Sequence, residues 1–180
     1  METQQSGASQ RRVLLAAARV LADDPAASMQ QVADEAHVAR PTVYRCYPST
    51  TALVEAIGHE AADDFAAALS HARAAGGGAA AVLARLIREL ARIGADYPIV
   101  LQSPHTRDID GLVARVDELI ENGQAAGELR GDVAAEVLRH AVFGALSAAL
   151  RVMRDQAQPQ TDSDTIGTQI AAIIVEGMRA

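Results

Sequence analysis

The sequence predicts an all-α fold, and three observations support this prediction. Alanine is abundant among the 180 residues, aromatic residues make up 3% of them, and tryptophan is absent. Alanine-rich chains with few β-branched or aromatic runs favour helix over strand. Apolar residues also recur at three- and four-residue spacing along most of the chain, which is the spacing of one helix face, and no alternating strand pattern is found.

Three short helical patterns occupy the N-terminal part of the chain. The first begins at Ser9 and ends at the segment 23–25, because the proline at its end disfavours helix at the residue before it. The second begins at Ser28, within the S-x-x-Q sequence of a capping box. The third begins near Pro41, since proline tolerates the first turn of a helix, and it ends before Pro48.

Longer patterns follow, beginning with a helix capped by Ser49 or Thr50 that runs to about residue 75. Three glycines at 76–78 then indicate a linker. Four further helical patterns cover residues 83–93, 109–120, 137–150 and 166–178. The polar, proline-containing segment 155–164 predicts a loop between the last two. From this order we expect two domains, residues 9–56 and residues 57–180.

The composition indicates a cytoplasmic protein. The N-terminus has no apolar segment typical of a secretory signal, and no apolar stretch approaches the 18 residues of a membrane span. Cys46 is the single cysteine, so an internal disulfide is not possible.

The distribution of charge limits how the chain can bind a polyanion. The net charge is −7, and all sixteen basic residues are arginine. Residues 1–50 carry five arginines and five acids, so the excess of negative charge lies in the remaining residues. Because the global field repels phosphate, any affinity for nucleic acid must come from a local basic patch.

The second and third patterns, separated by about four residues around His37, have the dimensions of a helix-turn-helix. In such a unit the second helix enters the major groove of DNA and the first crosses the backbone.

The segment from Arg11 to Ile57 resembles the DNA-binding domain of TetR-family transcriptional regulators. The matching stretches are "RRVLLAAARVLAD" and "SMQQVADEAHVARPTVYRCYPSTTALVEAI", and the run T-[VL]-Y-R-x-[FY]-P-S is their most recognisable part. The stretch "ENGQAAGELRGDVAAEVLRHAVFGALSAAL" is similar, more weakly, to regulatory domains of the same family. The resemblance implies a homodimeric repressor that binds a palindromic operator on double-stranded DNA and responds to a small-molecule effector.

The resemblance also implies which residues contact DNA. These are Arg11, Arg12, Ser28, Arg40, Pro41, Thr42, Tyr44, Arg45, Cys46, Ser49 and Thr50. Arginine can donate two hydrogen bonds to guanine O6 and N7, which makes Arg40 the candidate base reader. We expect Tyr44 to donate to a phosphate and Arg11 and Arg12 to supply charge at the start of the first helix. Val43 and Tyr47 are expected to face the core.

An ordinary structural interpretation of the basic residues stays open. Arg40 and Arg45 can be solvated surface arginines near Asp34 and Glu35, which is the usual state of exposed charge.

Two positions depart from the family's pattern. His37 occupies a turn position that is commonly glycine, so we expect a positive φ at some strain. The segment 49–51, Ser-Thr-Thr, stands where a phosphate-binding lysine is common.

For the second domain, the resemblance implies a ligand cavity and a dimer interface. The candidate cavity residues are Leu86, Leu90, Tyr97, Leu101, His105, Leu112, Val116 and Phe143. The candidate interface residues are Val142, Leu146, Leu150, Ile166, Ile170, Ile173 and Ile174. All of them can instead be ordinary core residues. An effector bound among such side chains would be small and largely apolar.

Other functions are less well supported. A helical interaction module that has lost DNA binding is the main alternative. The sequence shows no nucleophile–base pair and no P-loop, so we do not expect an enzyme or a bound cofactor. The pair His59 and Asp63 and the pair Glu136 and His140 have i,i+4 spacing, but two ligands on one helix rarely hold a metal.

Overall fold

A computed structural model describes residues 2–101, 107–155 and 162–180, and the side chains of residues 7–100, 111–155 and 162–180. Within these ranges the regular elements are helices, and the one β-type pairing is an isolated antiparallel bridge between Leu129 and Arg179. The prediction of an all-α fold is therefore confirmed. The helices are α1 (Glu2–Asp23), α2 (Met29–Glu35), α3 (Arg40–Cys46), α4 (Thr50–Ala74), α5 (Ala79–Asp96), a 3-10 helix (Pro98–Leu101), α6 (Arg107–Ala125), α7 (Ala135–Asp155) and α8 (Ser163–Met178).

Most helix ends lie close to the predicted ones, but α1 begins at Glu2 rather than at Ser9. Most of the added residues are polar, and most of them have good or moderate helix propensity. A polar extension carries no apolar periodicity, which is why the sequence pattern did not show it. The predicted loop at 155–164 lies largely outside the described residues.

The chain divides into two compact units. The first contains the residues up to Ala61 together with the segment that starts at Asp96. In it α1 packs against α2, α3 and the 3-10 helix. Its fully buried side chains include Leu21, Val32, Val43, Leu53 and Ile57.

The second unit contains the residues from Ala62 to Ala95 and those from α6 onward. Side chains of α4, α5, α6, α7 and α8 form one apolar core in it. An ion pair between Arg139 and Asp117 joins α7 to α6, with the Arg139 Nε 2.7 Å from the Asp117 Oδ1. No helix in the described ranges combines the length and the hydropathy that crossing a bilayer requires.

The predicted glycine linker is a tight turn between α4 and α5. Gly76 and Gly77 have φ values of 69° and 90°, a region that side chains with a Cβ rarely adopt. Arg85 on α5 reaches back over this turn. Its guanidinium donates to the Ala72 carbonyl oxygen, 2.9 Å from Nη2, and to the Gly76 carbonyl. The last turn of α4 is thereby capped by a side chain.

Gly167 of α8 lies in close contact with α5. A Cβ at this position would lie 2.9 Å from the Arg88 Cα and 2.9 Å from the Ala91 Cβ. The Arg88 atom belongs to the backbone, so a small rotation of a side chain cannot relieve the contact.

We expect Gly167→Ala to lower the free energy of unfolding by about 1–3 kcal/mol, because it overpacks the α5–α8 contact. Urea denaturation followed by circular dichroism at 222 nm measures this change. Gly111→Ala on α6 is the matched control, since nothing lies within 4 Å of its added Cβ. That variant should be neutral or more stable, because alanine favours helix over glycine. Equal effects in the two variants would contradict the packing argument.

Candidate nucleic-acid interface

The first helix of the pair, α2, starts from a well-formed cap. The Ser28 N–H donates to the Gln31 Oε1 at 2.8 Å, and the Gln31 N–H donates to the Ser28 Oγ at 3.3 Å. The predicted capping box at α2 is therefore present. Both partners satisfy amide groups that a seven-residue helix would otherwise leave without an acceptor.

The turn between α2 and α3 is closed by a Schellman motif with a histidine in the glycine position. The His37 N–H donates to the Asp34 carbonyl at 3.1 Å, and the Val38 N–H donates to the Ala33 carbonyl at 3.0 Å. His37 has a φ of 52°, as the sequence predicted. Two hydrogen bonds and the buried Ala36 beside it hold this residue in a conformation that costs free energy.

Helix α3 is anchored by its inner face. Val43 is fully buried, and Tyr47, directly after the helix, is buried as well, as predicted for both. Burial raises the pKa of the Tyr47 phenol, and a hydrogen bond with Gln10 on α1 opposes this shift. Pro41 lies in the first turn, where its missing N–H costs nothing.

The outer face of α3 carries the predicted contact residues. Arg40, Pro41, Tyr44 and Arg45 are exposed there, with 42% of the Tyr44 surface accessible. Thr42 and Cys46 are half-buried at its edges, as is Thr50 at the start of α4.

Arg40 and Tyr44 form a pair on this face. The Arg40 Cζ lies 5.3 Å from the centre of the Tyr44 ring, and the Arg40 Nη2 donates to the Tyr44 hydroxyl at 3.3 Å. The sequence analysis missed this pair, although i,i+4 spacing on a helix is the signal that could have shown it.

The acids that could have neutralised these arginines are engaged elsewhere. Asp34 accepts from the Gln30 amide at 2.8 Å, and the Glu35 carboxylate lies 3.9 Å from Arg19. Across the part of the chain that the structure describes, neither Arg40 nor Arg45 lies within ion-pair distance of a carboxylate. Both arginines are therefore exposed without a described carboxylate partner, which agrees with solvated surface residues and with residues available to a polyanion.

Further predicted contact residues lie on α1 and directly before α4. Because α1 begins at Glu2, Arg11 and Arg12 lie inside the helix and not at its start, which corrects the expected position. Arg12 is exposed, while the Arg11 Nη1 lies 2.8 Å from the Glu60 Oε1 on α4. Ser49 caps α4 by accepting the Ala52 N–H at 3.1 Å.

The candidate cavity residues are distributed over both units. Leu86, Leu90, Leu112 and Val116 are buried in the core of the second unit, and Phe143 packs edge-on against Phe65 with ring centres 6.2 Å apart. Tyr97 is also buried but belongs to the first unit. His105 and the side chain of Leu101 lie outside the described residues.

The candidate interface residues separate into two groups. Val142, Leu146 and Leu150 are buried within the chain itself, as is Ile166, so they belong to its own core. Ile170 and Ile174 are half-buried, and Ile173 is 69% exposed.

The sequence of residues 137–153 predicts more than one apolar stripe, and the structure shows a second stripe on the opposite side of α7 from its buried residues. Val137 and Val152 at its two ends are 56% and 54% exposed. Small apolar residues fill the stripe between them, namely Ala141, Gly144 and Ala148. Their three- and four-residue spacing was visible in the sequence, but two apolar stripes on one helix cannot be told apart without knowing which one the core takes.

Acidic and histidine side chains do not form a metal site in the described ranges, where no cluster of three or more His, Cys, Asp or Glu residues is found.

Comparison with known proteins places this geometry in context. Residues 13–57 match the model of the family described as bacterial regulatory proteins, tetR family. The HTH-type transcriptional repressor LfrR of Mycolicibacterium smegmatis is 38% identical over 93 residues, which are 52% of this chain and 48% of that protein. The matched region thus spans about half the length of this relative.

Two solved structures share the fold over nearly the whole chain. The ketosteroid transcriptional regulator KstR2 of Mycobacterium tuberculosis superposes with a TM-score of 0.73 and 15% identity, covering 95% of each chain. AibR in complex with isovaleryl coenzyme A and operator DNA gives a TM-score of 0.70 and 19% identity, covering 95% of this chain and 98% of that one.

We expect His37→Gly to raise the free energy of unfolding by about 0.5–1 kcal/mol, because glycine adopts a positive φ without the Cβ clash. Thermal and urea denaturation measure the change. His37→Ala keeps the Cβ and serves as the control, for which no gain is expected. A gain of the same size in the alanine variant would show that backbone strain is not its cause.

Proposed function

Because the chain belongs to the TetR family of bacterial regulatory proteins, we propose that it is a transcriptional repressor of the cytoplasm. It binds a palindromic DNA operator as a homodimer and is released by a small, largely apolar effector. Residues 9–56 would bind DNA, and residues 57–180 would bind the effector and the second subunit.

The exposed face of α3 carries this proposal. It presents two arginines and a tyrosine to solvent, on a helix that is fixed from below by Val43 and Tyr47. Charged groups with no described carboxylate within ion-pair distance are available to phosphate oxygens and to guanine. In this arrangement Arg40 would read a base, while Arg45 and Tyr44 would contact the backbone and fix the register.

The charge distribution supports specific over non-specific binding. The whole chain has a net charge of −7, and residues 51–180 carry this excess of negative charge. The acidic surfaces repel DNA in any orientation that does not place α3 in the groove. Arg12 on α1, the cap residue Ser49 and Thr50 at the start of α4 would add backbone contacts.

The apolar stripes of α7 and α8 support a homodimer. A shallow groove of about 380 Å³ lies between them, lined by Ala148, Ala149, Val152, Met153, Ile166, Gln169 and Ile170. A two-fold axis through this region would bring the same stripe of a second subunit onto it and form a four-helix bundle. The small side chains in the middle of the α7 stripe would allow the helices to approach closely.

The interior of the second unit supports an apolar effector. Its core is lined by leucine, isoleucine, valine and phenylalanine, and the described buried residues include no polar or charged side chain. A ligand that enters here must displace contacts between apolar side chains, and these side chains would then contact the ligand. Such a ligand can release DNA only by binding the DNA-free conformation more tightly.

The DNA-binding proposal is tested by selection of duplex DNA from a random pool with the purified protein, together with a footprint on the intergenic DNA upstream of its own gene. We expect a palindromic site and a steep fall in affinity with salt, because phosphate contacts release counterions. Failure to enrich any sequence at low salt would support the helical interaction module instead.

Arg40→Ala should relax base preference at one position in each half-site, since a bidentate contact to guanine is worth about 1–3 kcal/mol of discrimination. Arg179→Ala near the C-terminus removes the same charge from an exposed side chain and serves as the control. Fluorescence anisotropy on the selected site and on its single-base variants gives the discrimination for both. If the two variants behave alike, Arg40 does not read a base.

Ile173→Glu should convert the dimer to a monomer, because it places a charge in the centre of the proposed pairing face. The side chain is 69% exposed within one chain, so folding should be little affected. Sedimentation velocity measures the assembly. Thr165→Glu adds the same charge on the polar side of α8 and should leave the dimer intact. A dimer that persists in the Ile173 variant would place the interface elsewhere.

A further inference from the structure

The position of Arg40 is unfavourable for the helix that carries it. Arg40 is the first residue of α3, where the aligned peptide dipoles place partial positive charge. A cation is normally stabilising at the other end of a helix, where Arg45 lies. No described carboxylate is within ion-pair distance of Arg40 to offset this cost. Its guanidinium is instead held by Tyr44.

The contact with Tyr44 restricts a side chain that would otherwise be mobile. The guanidinium lies 5.3 Å from the ring centre, and its Nη2 donates to the phenol oxygen at 3.3 Å. A free arginine side chain samples many rotamers, and ordering it on binding opposes the contact it makes. Because the planar guanidinium is held at two points, fewer of these rotamers remain to be lost.

The hydroxyl of Tyr44 can serve Arg40 and a phosphate at the same time. A phenol has one hydrogen to donate and lone pairs that accept. Arg40 uses an acceptor position, so the hydroxyl hydrogen is left to donate to a phosphate oxygen. The position of the backbone and the position of the base-reading group are then coupled through one side chain.

We infer that Tyr44 is a positioning residue that holds the Arg40 guanidinium in the orientation that reads a base, and so determines sequence specificity as well as affinity. This inference rests on the proposed DNA-binding function. It differs from the role of a plain phosphate contact, which would affect all sequences equally.

Two variants separate the contribution of the Tyr44 ring from that of its hydroxyl, and a third tests whether Arg40 and Tyr44 are coupled. Tyr44→Phe keeps the ring beneath the guanidinium and removes both hydrogen bonds of the hydroxyl. Tyr44→Leu removes the ring as well. The double variant Arg40→Ala/Tyr44→Leu shows whether the two residues act through each other. Circular dichroism and thermal denaturation of each variant verify the fold.

Anisotropy titrations measure the ratio of affinities for the selected site and for a site in which the base read by Arg40 is replaced. We expect Tyr44→Phe to weaken binding to both sites and to keep this ratio within about twofold of the wild type, because the cation–π contact remains. Tyr44→Leu should lower the ratio by about fivefold or more, as an unrestrained Arg40 loses part of its discrimination. The double variant should discriminate no worse than Arg40→Ala alone.

A measurement without DNA tests the pairing itself. In NMR spectra the Arg40 Nε–H resonance should be shifted by the ring current of Tyr44, largely keep that shift in the Phe variant and lose it in the Leu variant. If the Leu variant keeps the full discrimination ratio, or if its Arg40 resonance does not move, the inference is overturned while the proposed function stands. If the wild type itself prefers no sequence, the proposed function fails first and this inference with it.

Discussion

The N-terminal unit depends on how a seven-residue helix is held in place. Helices shorter than about 12 residues are marginal in water when isolated. Helix α3 therefore owes its existence to what surrounds it: the Schellman turn before it, the buried Val43 within it and the buried Tyr47 after it. All three constraints act on one side of the helix or at its ends, so its outer face is not needed to hold the helix in place. That free face is where the arginines and Tyr44 lie.

In the second unit, α7 and α8 also have a side that the core covers and a side that is exposed. Helix α7 has one apolar stripe that the core of its own chain covers and a second that is exposed in the described chain, while on α8 Ile173 is exposed and Ile170 and Ile174 pack partly against the core. An exposed apolar stripe on a helix is a surface that a second subunit can cover, which agrees with the proposed dimer. The outer stripe of α7 differs from the core stripe in composition, because small residues replace the leucines at its centre.

Much of the fold could be predicted from the sequence because local signals agreed with one another. The capping box at Ser28, the proline in the first turn of α3 and the positive φ at His37 are all consequences of short-range chemistry. What the sequence could not show depended on long-range contacts. Glu60 meets Arg11 across 49 residues, and only the folded chain decides which stripe of α7 is turned inward. Leu146 and Val137 are both apolar and both periodic, so periodicity alone could not assign one to the core and the other to the surface.

The three glycines after α4 have a consequence for mechanics. A glycine triplet usually acts as a flexible joint, and the sequence pattern indicates a linker at these residues. In the structure Arg85 ties both sides of the turn together, with its positive charge at the negative end of the α4 dipole. Arg85 thus links α5 to the end of α4 across the turn. The most glycine-rich connection of the chain is therefore held by side-chain hydrogen bonds as well as by its backbone, and loss of the Arg85 guanidinium would remove this link.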